Sequence, residues 1–198
     1  MKTYIITDTH FNHERIKEMG AGRPDDYEQR LWDSIALLDE GDTLIHLGDI
    51  CIGADERVHA LIKNLRCKKI LVRGNHDNKS YSWYLSHGWD FVCEEIVMRV
   101  RKKMILFTHA PVGVLPGLYA NVHGHLHGDG ERRILTMIDN DHRRDEAEAV
   151  GYQLSYHYDA APDIRGYRPI SLDEVMNTLE RRADMTKPLE PGKEYKPR

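Results

Sequence analysis

Five short polar blocks, Asp8-Thr9-His10, Gly48-Asp49, Gly74-Asn75-His76-Asp77, His109 and Gly124-His125-Leu126-His127, each close a run that reads as a β-strand. Thr3-Tyr4-Ile5-Ile6-Thr7 runs into Asp8, Thr43-Leu44-Ile45-His46-Leu47 into Gly48, and Lys69-Ile70-Leu71-Val72-Arg73 into Gly74. Ligands delivered from the ends of several strands converge on one edge of a sheet. Together the blocks hold enough oxygen and nitrogen donors for two metal ions.

The segments between the strands set the architecture. Residues 12–19 read as a short helix stopped at Gly20, and residues 26–38 place Tyr27, Leu31, Ile35 and Leu38 on one helical face. A further helix is expected over 55–65, which makes the first half a repeated βαβ winding. Strands then follow with little helix between them, at 91–100, 104–108, 118–123, 132–137 and 152–158, and predict a second sheet. The expected fold is a four-layer α-β-β-α sandwich, two mixed sheets packed face to face and flanked by helices. Ser171-Leu172-Asp173-Glu174 is a capping box that opens a closing helix through Val175, Met176 and Leu179. Residues 138–150 lack apolar periodicity and read as a solvated loop or exposed helix. A single domain over 1–183 is expected, with a frayed, Pro-rich and charged tail over 184–198.

Composition narrows the partners. A chain of 198 residues, 40% hydrophobic, is long enough for one well-packed domain. Its 28 Lys+Arg against 32 Asp+Glu give a charge of -4, so the total advertises neither a long nucleic acid nor a membrane surface. The N-terminus enters a strand directly, without a signal-peptide core or bilayer-spanning segment, and a cytoplasmic location is expected. Cys51, Cys67 and Cys93 form no Cys-x-x-Cys pair, and are read as reduced, mostly buried thiols.

Each block alone is weak. Asp-x-His and Gly-Asp occur in many turns, although in an extended strand end Asp8 and His10 would point the same way and grip one ion. The density of imidazole in His123-Gly124-His125-Leu126-His127 is harder to explain structurally and favours metal. Gly74 permits a tight turn, and Asn75 offers a neutral carbonyl oxygen.

In this order the blocks resemble the calcineurin-like metallophosphoesterase superfamily. The opening Thr7-Asp8-Thr9-His10-Phe11-Asn12-His13 and the close Gly166-Tyr167-Arg168-Pro169-Ile170-Ser171-Leu172-Asp173-Glu174 are similar to its small bacterial and phage members. The resemblance implies one divalent ion held by Asp8, His10 and His127, a second held by Asn75, His109 and His125, and Asp49 bridging them. It places His76 beside the substrate, assisting the leaving group, with Asp77 orienting it or serving as a turn carboxylate. A metal-bridging hydroxide would attack the phosphoryl group in-line, without a covalent intermediate. Oxygen and imidazole ligands without thiolate suit Mn2+ first, with Fe2+, Zn2+, Co2+ or Ni2+ also compatible. Asn12, His13 and Arg23 are candidates for the substrate rim, where the helix start and a guanidinium would meet phosphate. Tyr81, Trp83, Tyr84 and Trp89 read as a core cluster, with nucleobase stacking the alternative.

The expected substrate is a small phosphate ester, a nucleotide among the options, with a diester favoured over a monoester. Amidohydrolases need an eight-stranded barrel of about 250 residues. Metallo-β-lactamase-like hydrolases carry their dense histidine block early rather than late. Protein phosphatases extend the aspartate block to Gly-Asp-x-Val-Asp-Arg-Gly, whereas Gly48-Asp49 continues here as Ile50-Cys51-Ile52-Gly53. The alternative from another class is a non-catalytic metal-binding interaction scaffold, as in a retromer subunit of the same fold. The strand-rich second half offers an edge for a homodimer.

Overall fold

A computed structural model describes residues 1–18, 22–129 and 154–185. The first sheet runs in the order β4-β3-β2-β1-β9. Its strands β1 (Thr3–Ile6), β2 (Thr43–His46), β3 (Lys68–Val72) and β4 (Phe91–Cys93) are parallel, and β9 (Ile170–Ser171) lies antiparallel beside β1. The second sheet runs β5-β6-β7-β8. Here β5 (Glu95–Val100) and β6 (Lys103–Thr108) form an antiparallel hairpin, while β7 (Ala120–His123) and β8 (His157–Asp159) continue in parallel. The molecule is therefore an α/β fold of two mixed sheets with flanking helices.

Side-chain alternation builds two cores from one sheet. Ile6, Leu44 and Leu71 point to the helical side, where they meet α1 (Tyr27–Ile35), α2 (Asp55–Lys63) and α3 (Tyr81–Ser86) through Leu31, Val58 and Tyr84. Their neighbours Ile5, Ile45 and Val72 point the other way, onto Ile105, Phe107 and Val122 of the second sheet. Parallel strands buried on both faces read as continuous apolar runs for this reason. The final helix, α4 (Leu172–Met185), inserts Val175, Met176 and Leu179 into the inter-sheet core. Its first turn is capped by Ser171, whose Oγ accepts the Glu174 N–H at 3.2 Å.

Several elements differ from the sequence expectation. The strand expected over 91–100 divides at Glu94, with β4 joining the first sheet and β5 the second. Glu94 anchors that crossing by accepting from Arg73 Nη1 at 2.9 Å and Tyr81 Oη at 2.6 Å. The helix expected from residue 12 is a 3-10 turn over Glu14–Glu18, because Asn12 sits at a φ of 64° and cannot start a helix. Asp184 and Met185 complete α4 rather than opening the tail. The strand expected at 132–137, the segment 138–150 and residues 186–198 lie outside the described residues. No helix among the described residues is long and apolar enough to cross a membrane.

Candidate metal centre

Every parallel strand that carries a polar block ends on the same side of the molecule, and the loops beyond the strands are stitched together there. The Asp8 N–H donates to Gly48 O at 2.9 Å, His10 N–H to Asp49 O at 3.0 Å, and Gly124 N–H to His109 O at 2.8 Å. Asp8, His10, Asp49, His125 and His127 all have positive φ, between 45° and 68°. Such backbone is costly for residues bearing a Cβ and persists where its surroundings hold it. Asp8 and His10 thus converge through two left-handed kinks beyond β1, not through the alternation of an extended strand.

Three of the glycines in these blocks are there because carboxylates or backbone press against them. A Cβ on Gly124 would collide with Asp8 Oδ2 and Thr7 Oγ1, and one on Gly74 with Asp49 Oδ1. Gly48, at a φ of 93°, packs directly on the backbone of Gly74.

The side chains gather into two groups. In the first, Asp8 Oδ2 accepts from Thr7 Oγ1 at 2.7 Å and from His125 N–H at 2.8 Å, which leaves Oδ1 to face the imidazoles. His10 Nε2 and His127 Nε2 each stand 3.7 Å from that oxygen. Asp8 Oδ1 and both His10 nitrogens are buried without a hydrogen-bond partner among the described residues. Burial works to raise the Asp8 carboxyl, but the imidazoles of His10, His127 and His109 hold it well below the usual carboxylate range. Burial dominates at His10 and lowers its pKa, so the ring favours the neutral, ligand-competent form.

In the second group, His109 Nδ1 faces the Leu47 carbonyl at 2.8 Å. A carbonyl only accepts, so the Nδ1 carries the proton and a neutral ring presents a lone pair at Nε2. That lone pair looks at Asn75 Oδ1 at 2.9 Å, His125 Nδ1 at 3.1 Å and Asp49 Oδ2 at 3.5 Å. Asn75 Oδ1 and Asp49 Oδ2 only accept, so they repel that lone pair unless a cation lies among them. The donor set therefore fits a metal ion. Asp49 lies between the groups, its Oδ2 3.7 Å from His10 Nε2 as well.

His76 stands at the mouth, its side chain 45% exposed and its Nε2 3.9 Å from Asp49 Oδ2. Its backbone N–H donates to Asp49 Oδ1 at 2.8 Å. Asp77 does not reach for His76. Its carboxylate accepts the N–H groups of Asp49 at 2.8 Å, Ile50 at 3.2 Å and Gly74 at 2.8 Å, and so locks the Asp49 loop to the Asn75 loop.

The residues expected at the substrate rim divide. His13 lies beside the site, its ring 5.3 Å from that of His10, and its pKa is lowered by burial and by the charges of His10, His76 and Arg23. Asn12 is tied into the scaffold, donating to Ile52 O at 2.8 Å and accepting from Arg57 Nη2 at 3.2 Å. Arg23 is buried beneath the floor, where it donates to Asp8 O at 2.8 Å, Thr9 O at 3.1 Å and the Asp163 carboxylate. Tyr84 and Trp89 are core residues and Trp83 packs against that core, as the cluster reading expected, whereas Tyr81 is exposed and donates to Glu94 instead. Residues without a sequence signal also serve the site. His46 accepts the Gly48 N–H at Nδ1, which puts its proton on Nε2 and aims it at Thr9 Oγ1, 2.9 Å away.

A third group, Cys51, Asp55 and His59, has metal-ligand chemistry but no free imidazole lone pair. Trp89 Nε1–H donates to His59 Nδ1 at 3.0 Å, and indole only donates. The neutral ring then keeps its proton on Nε2 while its Nδ1 lone pair is taken by the indole, so neither nitrogen is free to hold a metal. Burial also pushes the Cys51 thiol up to about 12, away from the thiolate a metal needs.

No curated protein matches this chain in sequence. Among solved structures, a protein of unknown function from Aquifex aeolicus is similar at a TM-score of 0.67 and 24% identity, covering 89% of this chain and 98% of that one. It shares the fold. An archaeal phosphodiesterase aligns over 63% of this chain and 72% of its own at 18% identity, with a TM-score of 0.41. The nuclease MPE of Pseudomonas putida covers 63% of this chain and 61% of its own at 24% identity, with a TM-score of 0.43. The sequence match to a known family runs from the first strand, through every loop that feeds the two donor groups, to the start of α4: over residues 1–172, the chain belongs to the calcineurin-like phosphoesterases.

Proposed function

We propose that the chain is a dinuclear-metal-dependent phosphoesterase that prefers phosphodiesters, uses Mn2+, and employs His76 at the leaving group. The observation that carries this reading is the position of Asp49 Oδ2, 3.7 Å from His10 Nε2 in one donor group and 3.5 Å from His109 Nε2 in the other. Asp8, His10 and His127 would hold one ion, Asn75, His109 and His125 the other, and Asp49 would touch both. When bound, such ions supply Lewis acidity toward the phosphoryl oxygens and lower the pKa of water. Carboxylate, amide and imidazole donors without thiolate suit Mn2+, and also Fe2+, Zn2+, Co2+ or Ni2+.

The chain's own residues do the rest. His76 is anchored through its backbone on the carboxylate that would touch both ions, so its half-exposed ring would stand beside an incoming ester. An imidazole there can donate a proton to a departing alkoxide. His13 offers a second imidazole beside the ring of His10.

The diester preference is supported by the fate of Arg23. A phosphomonoester dianion gains most from a guanidinium clamp, and this arginine is engaged with Asp163 and two backbone carbonyls instead. Two divalent ions against Asp8 and Asp49 leave a positive field suited to the single charge of a diester. Comparing turnover of bis(4-nitrophenyl) phosphate and 4-nitrophenyl phosphate with added Mn2+ tests this. Faster diester cleavage is expected. Preference for the monoester overturns the diester assignment, and a protein that binds metal yet cleaves neither ester returns the interaction-scaffold reading.

A further inference from the structure

We infer that Arg23 and Asp163 form a positioning brace that prepares all three residues of the Asp8, His10 and His127 group for a cation. The inference rests on the dinuclear reading above and deepens it. The two residues come from opposite ends of the described chain, Arg23 ahead of α1 and Asp163 from the 3-10 turn Pro162–Ile164 after β8. Their side chains are only 1% and 13% exposed. Taking such an ion pair out of water is costly, so its stability alone does not account for it.

What the pair does is hold ligands. Arg23 Nε–H and Nη2–H donate to the two Asp163 oxygens at 2.9 and 2.8 Å in a bidentate fork. The other side of the guanidinium donates to the carbonyls of Asp8 at 2.8 Å and Thr9 at 3.1 Å, fixing the kinked backbone that aims Asp8 and His10. Its plane also lies 5.2 Å from the Tyr27 ring, whose hydroxyl donates to the His10 carbonyl at 2.8 Å. A lysine has no fork and cannot span these partners.

His127 is the third ligand candidate, and Asp163 lies beside the ring nitrogen that faces away from Asp8. His127 Nδ1 lies 3.5 Å from Asp163 Oδ2 and 3.2 Å from Arg23 Nη2. The carboxylate stands as an acceptor beside Nδ1 and takes one Nη2–H of Arg23, while the other goes to the Asp8 carbonyl, so both hydrogens of that nitrogen are engaged. Without it, the freed Nη2–H can turn to Nδ1, and the ring is no longer oriented by a carboxylate. Outer partners of this kind change metal affinity by about 10–100-fold.

The test is Mn2+ titration of the metal-free full chain, followed by calorimetry and by electron paramagnetic resonance. Wild-type protein is expected to take up two Mn2+ and give the many-line spectrum of an exchange-coupled pair. Asp163→Ala is expected to fill one position with wild-type affinity and the other at least about 10-fold more weakly, giving the six-line spectrum of an isolated ion at one equivalent. Asp163→Asn, which keeps the shape and removes the charge, is carried in parallel in case the alanine variant does not fold. Asp163→Glu, which restores the carboxylate, is expected to recover part of the coupled signal. Variants that bind both ions with unchanged affinity overturn the brace while leaving the dinuclear reading intact. A wild-type protein that binds no Mn2+ overturns both.

Discussion

A single carbonyl, that of Leu47, sets the proton of His109 and thereby turns its other nitrogen toward Asn75, His125 and Asp49. At this scale proton location, more than proximity, separates a ligand from a neighbour, since His59 sits beside Cys51 and Asp55 with its one lone pair taken by Trp89. His76 is the residue for which a chemical rather than a structural role is proposed. The variant His76→Asn is expected to lower turnover by about 10²–10⁴-fold while calorimetry still counts two bound Mn2+. Unchanged turnover would remove His76 from the chemistry. The candidate ligands were legible in the sequence because each follows a strand-like run. Asp163 was not, because an acidic residue in a short Pro-Asp-Ile turn carries no signal, and its distance from His127 is closed only by the tertiary fold. Arg23 was visible as a cation, but nothing in the sequence distinguishes an arginine that faces substrate from one that lies under the floor.

Among the elements, the parallel strands could be read from their apolar runs and polar ends, and α1 and α2 from their periodicity. The two-residue β9 is too short for any pattern. The boundary at Glu94 was hidden because both β4 and β5 alternate as strands do, and only the pairing partners change. Helix α3 was missed for a related reason: Tyr81-Ser82-Trp83-Tyr84-Leu85-Ser86 is rich in aromatic residues and only six residues long. It is held by Ser80, whose Oγ accepts the Trp83 N–H at 3.2 Å, and by Tyr84 buried against α2. Ser80→Ala is therefore expected to cost about 1 kcal/mol of stability, measured by urea unfolding, with Mn2+ affinity unchanged. A loss of metal binding on that substitution would mean that α3 supports the site directly.

For the whole molecule, buried imidazoles link stability to pH. Burial pushes His46 down to about 3 and His59 down to about 4. The unfolded chain takes up protons on these rings below pH 6.5, while the folded protein does not until much lower pH. Stability should therefore fall on acidification, by about 1.4 kcal/mol per pH unit for each ring between 6.5 and its folded value. Asp77, which burial pushes up to about 6, works in the opposite direction between pH 6 and 3.8. Urea unfolding of metal-free protein at pH 7 and pH 5 is expected to show the loss, and His59→Phe to make the slope shallower. An identical slope in the variant would show that this ring stays outside the linkage.

The fold places two groups of candidate ligands on either side of one carboxylate oxygen, and the proposed function requires them to take up two ions. The most direct measurement is hydrolysis of bis(4-nitrophenyl) phosphate by metal-free protein titrated with Mn2+. Activity is expected to rise from background and saturate at about two ions per chain, the number the Asp49-linked groups can hold. Saturation at one ion, or hydrolysis undiminished without metal, would contradict the dinuclear reading.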